Sequence, residues 1–246
     1  MKNRTLTFFA LIILCALASL SVQAQTPTNG VSAASAHADS STAEALTLAR
    51  AAVKAQGGSK FLALRNLVLV GTVDLYSPNS TQPFPAKFVS VSAGDRMRLE
   101  IQSSVFNLRQ VDNGQQNYSS IGSMKSPPAR LGLTLLSKFE QPGYSVSLLP
   151  ATKKQKAFRI TDAEGNATDF YVDAVSGQIV RYVTVVGGYN FSVENKEVKQ
   201  TEGVLVPFNY VQKLDSPQGS FFAEFKVKEV KLNQDLGEEV FAIPAQ

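Results

Sequence analysis

From Asn166 to Leu232 the chain falls into four or five consecutive runs rich in Val, Phe and Tyr, each closed by turn residues. Thr168 to Asp173 leads through Ala174-Val175-Ser176-Gly177 into Gln178 to Val186. Gly187-Gly188 then opens Tyr189 to Val198, Glu202-Gly203 opens Val204 to Leu214, and Ser216-Pro217-Gln218-Gly219 opens Ser220 to Leu232. Such spacing predicts a meander of antiparallel strands. Residues two apart on a strand share a face, so parity assigns the dry side. In the last run Phe221, Ala223, Phe225 and Val227 lie opposite Glu224, Lys226 and Lys228. In the run before it, Val204, Val206, Phe208 and Tyr210 lie opposite Asn209 and Lys213. Near Lys228 and Glu229 the apolar role passes to Val230 and Leu232, which predicts a bulge that bends the strand.

The same period-2 pattern begins earlier. Leu67 to Tyr76 places Leu67, Leu69, Gly71, Val73 and Leu75 on one face. Ala86 to Val91 and Arg96 to Gln102 form a hairpin across Ala93-Gly94-Asp95, with Met97, Leu99 and Ile101 alternating against Arg96, Arg98, Glu100 and Gln102. Val105 to Val111 and Gln115 to Ser119 form another through Asp112-Asn113-Gly114. Further strands are expected at Tyr144 to Leu149 and Ala157 to Thr161. Two stretches carry a helical period instead. Ala43 to Gln56 follows a capping box at Ser41 and Glu44, has Leu46, Ala49 and Val53 on one stripe, and is stopped by Gly57-Gly58, with a short turn over Ser59 to Arg65. Ala129 to Phe139, between Ser126-Pro127-Pro128 and Gln141-Pro142-Gly143, holds Leu131, Leu135 and Phe139. Gly132 inside that helix is expected to cost about 1 kcal/mol. Phe241-Ala242-Ile243-Pro244 is expected to pin the C-terminus to the sheet. The predicted class is mainly β with helices (α+β): one strongly curved antiparallel sheet with an N-terminal and a mid-chain helix.

The N-terminus changes where this body resides. Lys2 and Arg4 precede an apolar run from Leu6 to Leu20, and Val22 and Ala24 frame a cut, so residues 1–24 read as a secretory signal peptide and Gln25 as the mature start. The run is too short and wrongly flanked for a permanent span. Cys15, the one cysteine, is lost with it, and Leu14 before it argues against a lipid anchor, so no disulfide is expected. Residues 25–40, rich in Ala, Ser and Thr, read as a flexible linker, and 41–246 as one domain. The one histidine, His37, falls in that linker, where it cannot be held against a nucleophile or a metal. Losing Lys2 and Arg4 from the 24 basic residues leaves 22 against 20 acidic ones, so nothing attracts polyanions and no nucleic-acid partner is expected. The location implied is the periplasm or the exterior.

Chemistry-bearing motifs are missing from the sequence. It has no nucleophile motif, no paired Cys or His metal ligands, and no Walker or dinucleotide glycine pattern. Carboxylates occur singly, although acids from distant strands can meet in space. The expectation is a protein that is not an enzyme and uses no cofactor and no metal. What the pattern offers instead is a curved sheet with more apolar side chains on one face than two small helices cover. Such a face suits a lipid-like ligand, and the same side chains also suit a dry core. The candidates on the sheet are Leu69, Val73, Met97, Leu99, Ile101, Phe208, Tyr210 and Phe225. On the mid-chain helix they are Leu131, Leu135 and Phe139.

The order of features resembles the outer-membrane lipoprotein-sorting family (LolA/LolB-like), the periplasmic lipoprotein carrier and its relatives. The resemblance rests on the signal peptide, the helix ending in Gly57-Gly58, Phe61-Leu62-Ala63-Leu64 before a strand carrying Gly71-Thr72, and Asp112-Asn113-Gly114. Phe170-Tyr171-Val172-Asp173 with Ser176-Gly177, Val206-Pro207-Phe208, and Phe241 to Pro244 complete it. It spans nearly the whole mature chain. It implies an unclosed antiparallel barrel with helices plugging its mouth, which shields acyl chains or a lipoprotein's lipid in transit between membranes. It further implies a monomer that meets a partner protein at the inner or outer membrane. Two departures stand out: no arginine matches the family's lid-locking position, and the chain contains no Trp. The alternative reading is a non-catalytic envelope scaffold that uses the same sheet for assembly.

Overall fold

The computed structural model describes residues 31–78, 80–122, 127–217 and 219–244, with side chains from residue 40 onward. The signal peptide, its cut before Gln25 and Cys15 lie outside the described residues. Twelve strands form one sheet. The first five are β1 (Leu67–Tyr76), β2 (Phe84–Ala93), β3 (Arg96–Gln102), β4 (Asn107–Asp112) and β5 (Asn117–Ser119). After a break come β6 (Ser145–Leu149), β7 (Gln155–Thr161), β8 (Ala167–Asp173), β9 (Ile179–Val186), β10 (Tyr189–Thr201), β11 (Val204–Ser216) and β12 (Gly219–Leu232). Their order is β5-β4-β3-β2-β1-β12-β11-β10-β9-β8-β7-β6. Every neighbour pair is a sequential antiparallel connection except β1 with β12, which joins two meanders into one sheet. The sheet does not close. Its two edges are β5 and β6, and the chain between them crosses the gap as the short helix α3 (Leu133–Lys138).

The bulge expected near Lys228 is present. Val70 pairs with Glu229 and Gly71 with Val227, so Lys228 is the extra residue. The strands come so close there that a Cβ on residue 71 would lie 2.1 Å from the Lys226 carbonyl oxygen and 2.9 Å from the Phe88 ring. Only glycine fits, and Phe88 takes the space it leaves. A second irregularity lies between β10 and β11 around Glu197, beside Pro207, which the ladder tolerates because the register is already broken.

Two expectations about helices are corrected. Helix α1 runs over Val31–Gln56, so it begins inside the stretch read as a flexible linker and takes in position 37. Ala33, Ala34, Ala36 and Ala38 explain this, because alanine is the strongest helix former and needs no periodic apolar face. Its inward stripe is Ala45, Ala49, Ala52 and Val53, with Leu46 and Leu48 half-buried beside it. Small side chains let the helix lie close on β6 and β7, and it ends with Gly58 N–H bonding the Val53 carbonyl at 2.9 Å. The helix expected over Ala129 to Phe139 is shorter, because Gly132 stands before it with φ 65°. Its N–H donates to Thr168 Oγ1 at 3.2 Å, and a Cβ there would come within 2.9 Å of the Tyr182 ring. Gly132 thus stands outside the helix, and the expected penalty for glycine within one does not apply. Between α1 and β1, α2 (Ser59–Leu62) buries Phe61.

Apolar side chains gather on both faces of the sheet. The large cluster fills the inner, concave face beneath α1 and α3. A small one lies on the outer face of β1–β4, where Phe241 of a 3-10 turn (Glu238–Phe241) packs on Val91 and Val111. The expected pinning of the C-terminus is therefore real. Arg98 donates to the Val240 carbonyl at 2.9 Å, and the Arg96 guanidinium lies 4.6 Å over the Phe241 ring.

Candidate ligand-binding face

All eleven candidate residues belong to the inner cluster. Leu69, Val73, Leu99, Ile101, Leu131, Leu135, Phe139, Tyr210 and Phe225 are buried, while Met97 and Phe208 are half-buried and packed against the rest. Phe208 sits beside the β10–β11 irregularity with the Lys199 ammonium 4.4 Å over its ring. Sequence reasoning missed Phe88, Leu136, Phe158, Ile160, Phe170 and Tyr182, which also belong here. Parity marks most of them: Ala86 with Phe88, Phe158 with Ile160, and Phe170 with Val172 each fall two apart on one strand. Leu136 is hidden by its neighbour Leu135, since both face inward from one helical turn.

Rings opposite one another across the strands form an aromatic belt. Phe158 stacks on Phe170 at 5.3 Å, and Phe170 leans on Tyr182 at 6.1 Å. Tyr210 lies flat on Phe225 at 4.6 Å, and Phe225 meets Phe88 edge-on at 4.9 Å. Each such pair adds about 0.5–1.5 kcal/mol beyond its burial. Burial pushes the phenols of Tyr182 and Tyr210 far above their ordinary value, and the Tyr182 charge would push Tyr210 further. Both are therefore neutral hydroxyls at physiological pH.

The segment from Ala129 to Gln141 covers this face like a lid. Leu131, Leu135, Leu136 and Phe139 point down into the cluster. Its polar groups are tied to the surroundings at the periphery. Ala129 N–H donates to Asp112 Oδ2 at 2.8 Å, Arg130 pairs with Glu164 at 2.7 Å, and Glu140 pairs with Arg50 of α1 at 2.7 Å. Lys138 Nζ bonds both carboxylate oxygens of Asp95, at 2.5 and 2.7 Å, reaching the β2–β3 turn. Exposed pairs of this kind contribute about 0–1 kcal/mol each. The lid is thus held mainly by the apolar residues it buries.

At the seam between α1, α2 and the lid, Arg50, Val53, Leu62 and Phe139 border a depression of about 130 Å³. A second, of about 280 Å³, lies by Glu100, Asn107, Arg109 and Tyr118 at the β3–β5 edge. Both fall below the ~300–1,000 Å³ of ordinary ligand pockets. The side chains of the inner face fill the interior. Among the described residues no group of three or more His, Cys, Asp or Glu side chains is placed to hold a metal ion. The buried Asp112 is occupied structurally, accepting from Ala129 and Gly114 N–H groups.

No family model matches the sequence, and no curated protein matches it. Solved structures do match. A LolA superfamily protein from Nitrosomonas europaea aligns with a TM-score of 0.53 at 12% identity, over 81% of this chain and 97% of that one. The chain has a LolA-like fold. A DUF1329 family protein from Desulfovibrio piger aligns with a TM-score of 0.50 at 8% identity, over 80% of this chain and 97% of the other. The LolA-like fold agrees with the resemblance in its unclosed antiparallel sheet and its covering helices. Among the described residues no helix is long and apolar enough to cross a membrane.

Proposed function

We propose that this chain is a periplasmic carrier that shields acyl chains, or the lipid of a lipoprotein, on its inner face. Residues 41–246 work as one monomeric unit, with the Ala129–Gln141 segment as the moving cover. The observation that carries the reading is the lid's construction. A short segment around α3 buries four large apolar side chains over an aromatic belt, yet spans the sheet's gap and is tied down by peripheral polar contacts. The fold shared with the LolA superfamily protein supports it. We assign the chain no catalytic step. Its exchange partners are membrane-associated proteins on either side of the periplasm.

Cross-linking tests the reading. The mature chain from Gln25 onward has no cysteine, so Asp95→Cys with Lys138→Cys introduces the two thiols alone. Joined by a short bismaleimide, the double variant should bind an apolar fluorescent fatty-acid probe at least about tenfold more weakly than the unjoined protein, a difference of about 1.4 kcal/mol. Equal binding by joined and unjoined protein would show that no lid movement is needed and would sink the proposal. A stable complex with an envelope protein and no probe binding would favour the scaffold instead.

A further inference from the structure

The end of the sheet that carries the β1–β2, β3–β4, β9–β10 and β11–β12 turns differs from the opposite end in what it exposes. Among the described residues eight large apolar side chains are exposed, and five of them gather there: Phe84, Val105, Val185, Tyr189 and Phe221. The register sets the rings close to one height. Leu75 pairs with Phe84, Leu214 with both Phe221 and Phe191, and Tyr189 with Val186. Rings also occur on both faces. By alternation Phe84, Phe191 and Phe221 share the inner face, while Tyr76 and Phe222 stack at 4.3 Å on the outer one. The turns between these strands are uncharged, since Ser77 to Pro83, Ser103 to Phe106, Gly187-Gly188 and Pro217-Gln218 contain no Asp, Glu, Lys or Arg. The charged turn at this end, 162–166, lies away on β7 and β8, where Glu164 pairs with Arg130. Turns at the opposite end hold Asp95, Lys153, Lys154 and Glu202.

A guest held within the sheet would use rings on the inner face alone, and a core would not leave three of them exposed. Rings on both faces at one height meet a plane laid across the strand ends. Aromatic side chains favour the boundary between lipid headgroups and hydrocarbon. Uncharged turns lose no ionic hydration on entering that boundary, and they offer no attraction to an anionic surface. Behind the rim, on the outer face, Lys213 pairs with Asp215 at 2.8 Å and Lys226 with Asp74 at 3.1 Å, so these charges cancel locally. We infer that the rim of Phe84, Tyr189 and Phe221 docks on the surface of a zwitterionic lipid bilayer, with the rings of both faces seated at headgroup level. The docking stands on the rim alone, independently of what the inner face carries.

Vesicles of phosphatidylcholine test it. The mature chain should sediment with them, and equally so in high salt. Phe84→Gln/Phe221→Gln, with unchanged circular dichroism, should bind at least about tenfold more weakly. Val175→Gln, which removes a 97% exposed side chain from the β8–β9 turn at the opposite end, should bind as the wild type does. The chain contains no Trp, so Tyr189→Trp supplies a single reporter. Its emission should shift to the blue on the vesicles and be quenched by lipid brominated near the headgroup, which decides the matter even where the double variant fails to fold. Absent sedimentation with an unmoved emission would overturn the docking, as would equal binding by the double variant. Sedimentation only with phosphatidylglycerol, lost in salt, would assign binding to lysines instead. A dimer that the double variant dissociates, with no vesicle binding, would assign the rim to a second copy; both outcomes overturn the proposal. The apolar probe, titrated without vesicles, separates this from the carrier reading. Docking without probe binding keeps the rim and removes the carrier, and probe binding without docking does the reverse.

Discussion

Strands β1–β4 carry an apolar cluster on each face, and the two are closed in different ways. Outside, Phe241 seats a terminal turn on Val91 and Val111, and Arg98 bonds its backbone. Inside, four large side chains of a mid-chain segment cover a belt of aromatic rings, and that segment is tied by two exposed ion pairs, by Lys138 to Asp95, and by the Ala129 and Gly132 N–H groups to Asp112 and Thr168. The outer cover is a turn near the described end of the chain, held by the bond from Arg98 to its Val240 carbonyl. The inner cover enters its helix through Gly132, whose φ of 65° belongs to neither strand nor helix. Equivalent hydrophobic chemistry thus seats a terminal turn on one side and a mid-chain segment on the other.

Leu135→Asp should break the comparison most severely. Leu135 is 1% exposed, and an unpaired buried carboxylate costs several kcal/mol. If the inner cover is a plug, it swings out, the far-ultraviolet dichroism of the sheet persists, and apolar-probe binding is abolished. Lost secondary structure together with lost binding would make the lid an ordinary part of the core. Phe241→Ala should come next, lowering unfolding free energy in urea by about 3 kcal/mol with probe affinity unchanged. A coupled loss of affinity would mean that the two faces are not independent. The smallest effect is acid-dependent. Burial opposes ionisation of Glu100, but the bonds and charges of Arg98 and Arg109 outweigh it and hold its carboxyl below the ordinary range. A depressed folded value contributes stability above the unfolded value of about 4.3 and loses it as pH falls through the folded one. Glu100→Gln should therefore flatten part of the fall in melting temperature below about pH 4, by the equivalent of 1 kcal/mol or less. Probe binding at neutral pH should not change.

Legibility of the sequence followed the range of the forces involved. Parity located the bulge at Lys228 because one inserted residue reverses every later side chain. The eight candidates on strands fell in the inner cluster for the same reason, since alternation is a local record of which way a strand faces. The pairing of β1 with β12 left no such record, and it alone explains why residue 71 must be glycine. The length of α3 was misjudged because Leu131, Leu135 and Phe139 keep a helical spacing although Leu131 reaches the core from a turn before Gly132. The early start of α1 escaped because alanine favours helix without showing a periodic stripe. Tyr182 is hidden because only its ring packs on the inner cluster, beside Phe170.

The meeting of β1 with β12 also sets a timetable. Leu67 pairs with Leu232, so the first strand made waits for the last. Contacts so distant in sequence are slow to form, and loop-closure entropy must be overcome before they repay it. As the chain emerges N-terminus first, β1 to β5 can pair among themselves, but the free edge of β1 stays open until β12 arrives. Unpaired edges and uncovered apolar faces invite association with other chains during that interval. A sheet that buries so broad an apolar face thus spends its own assembly with that face uncovered.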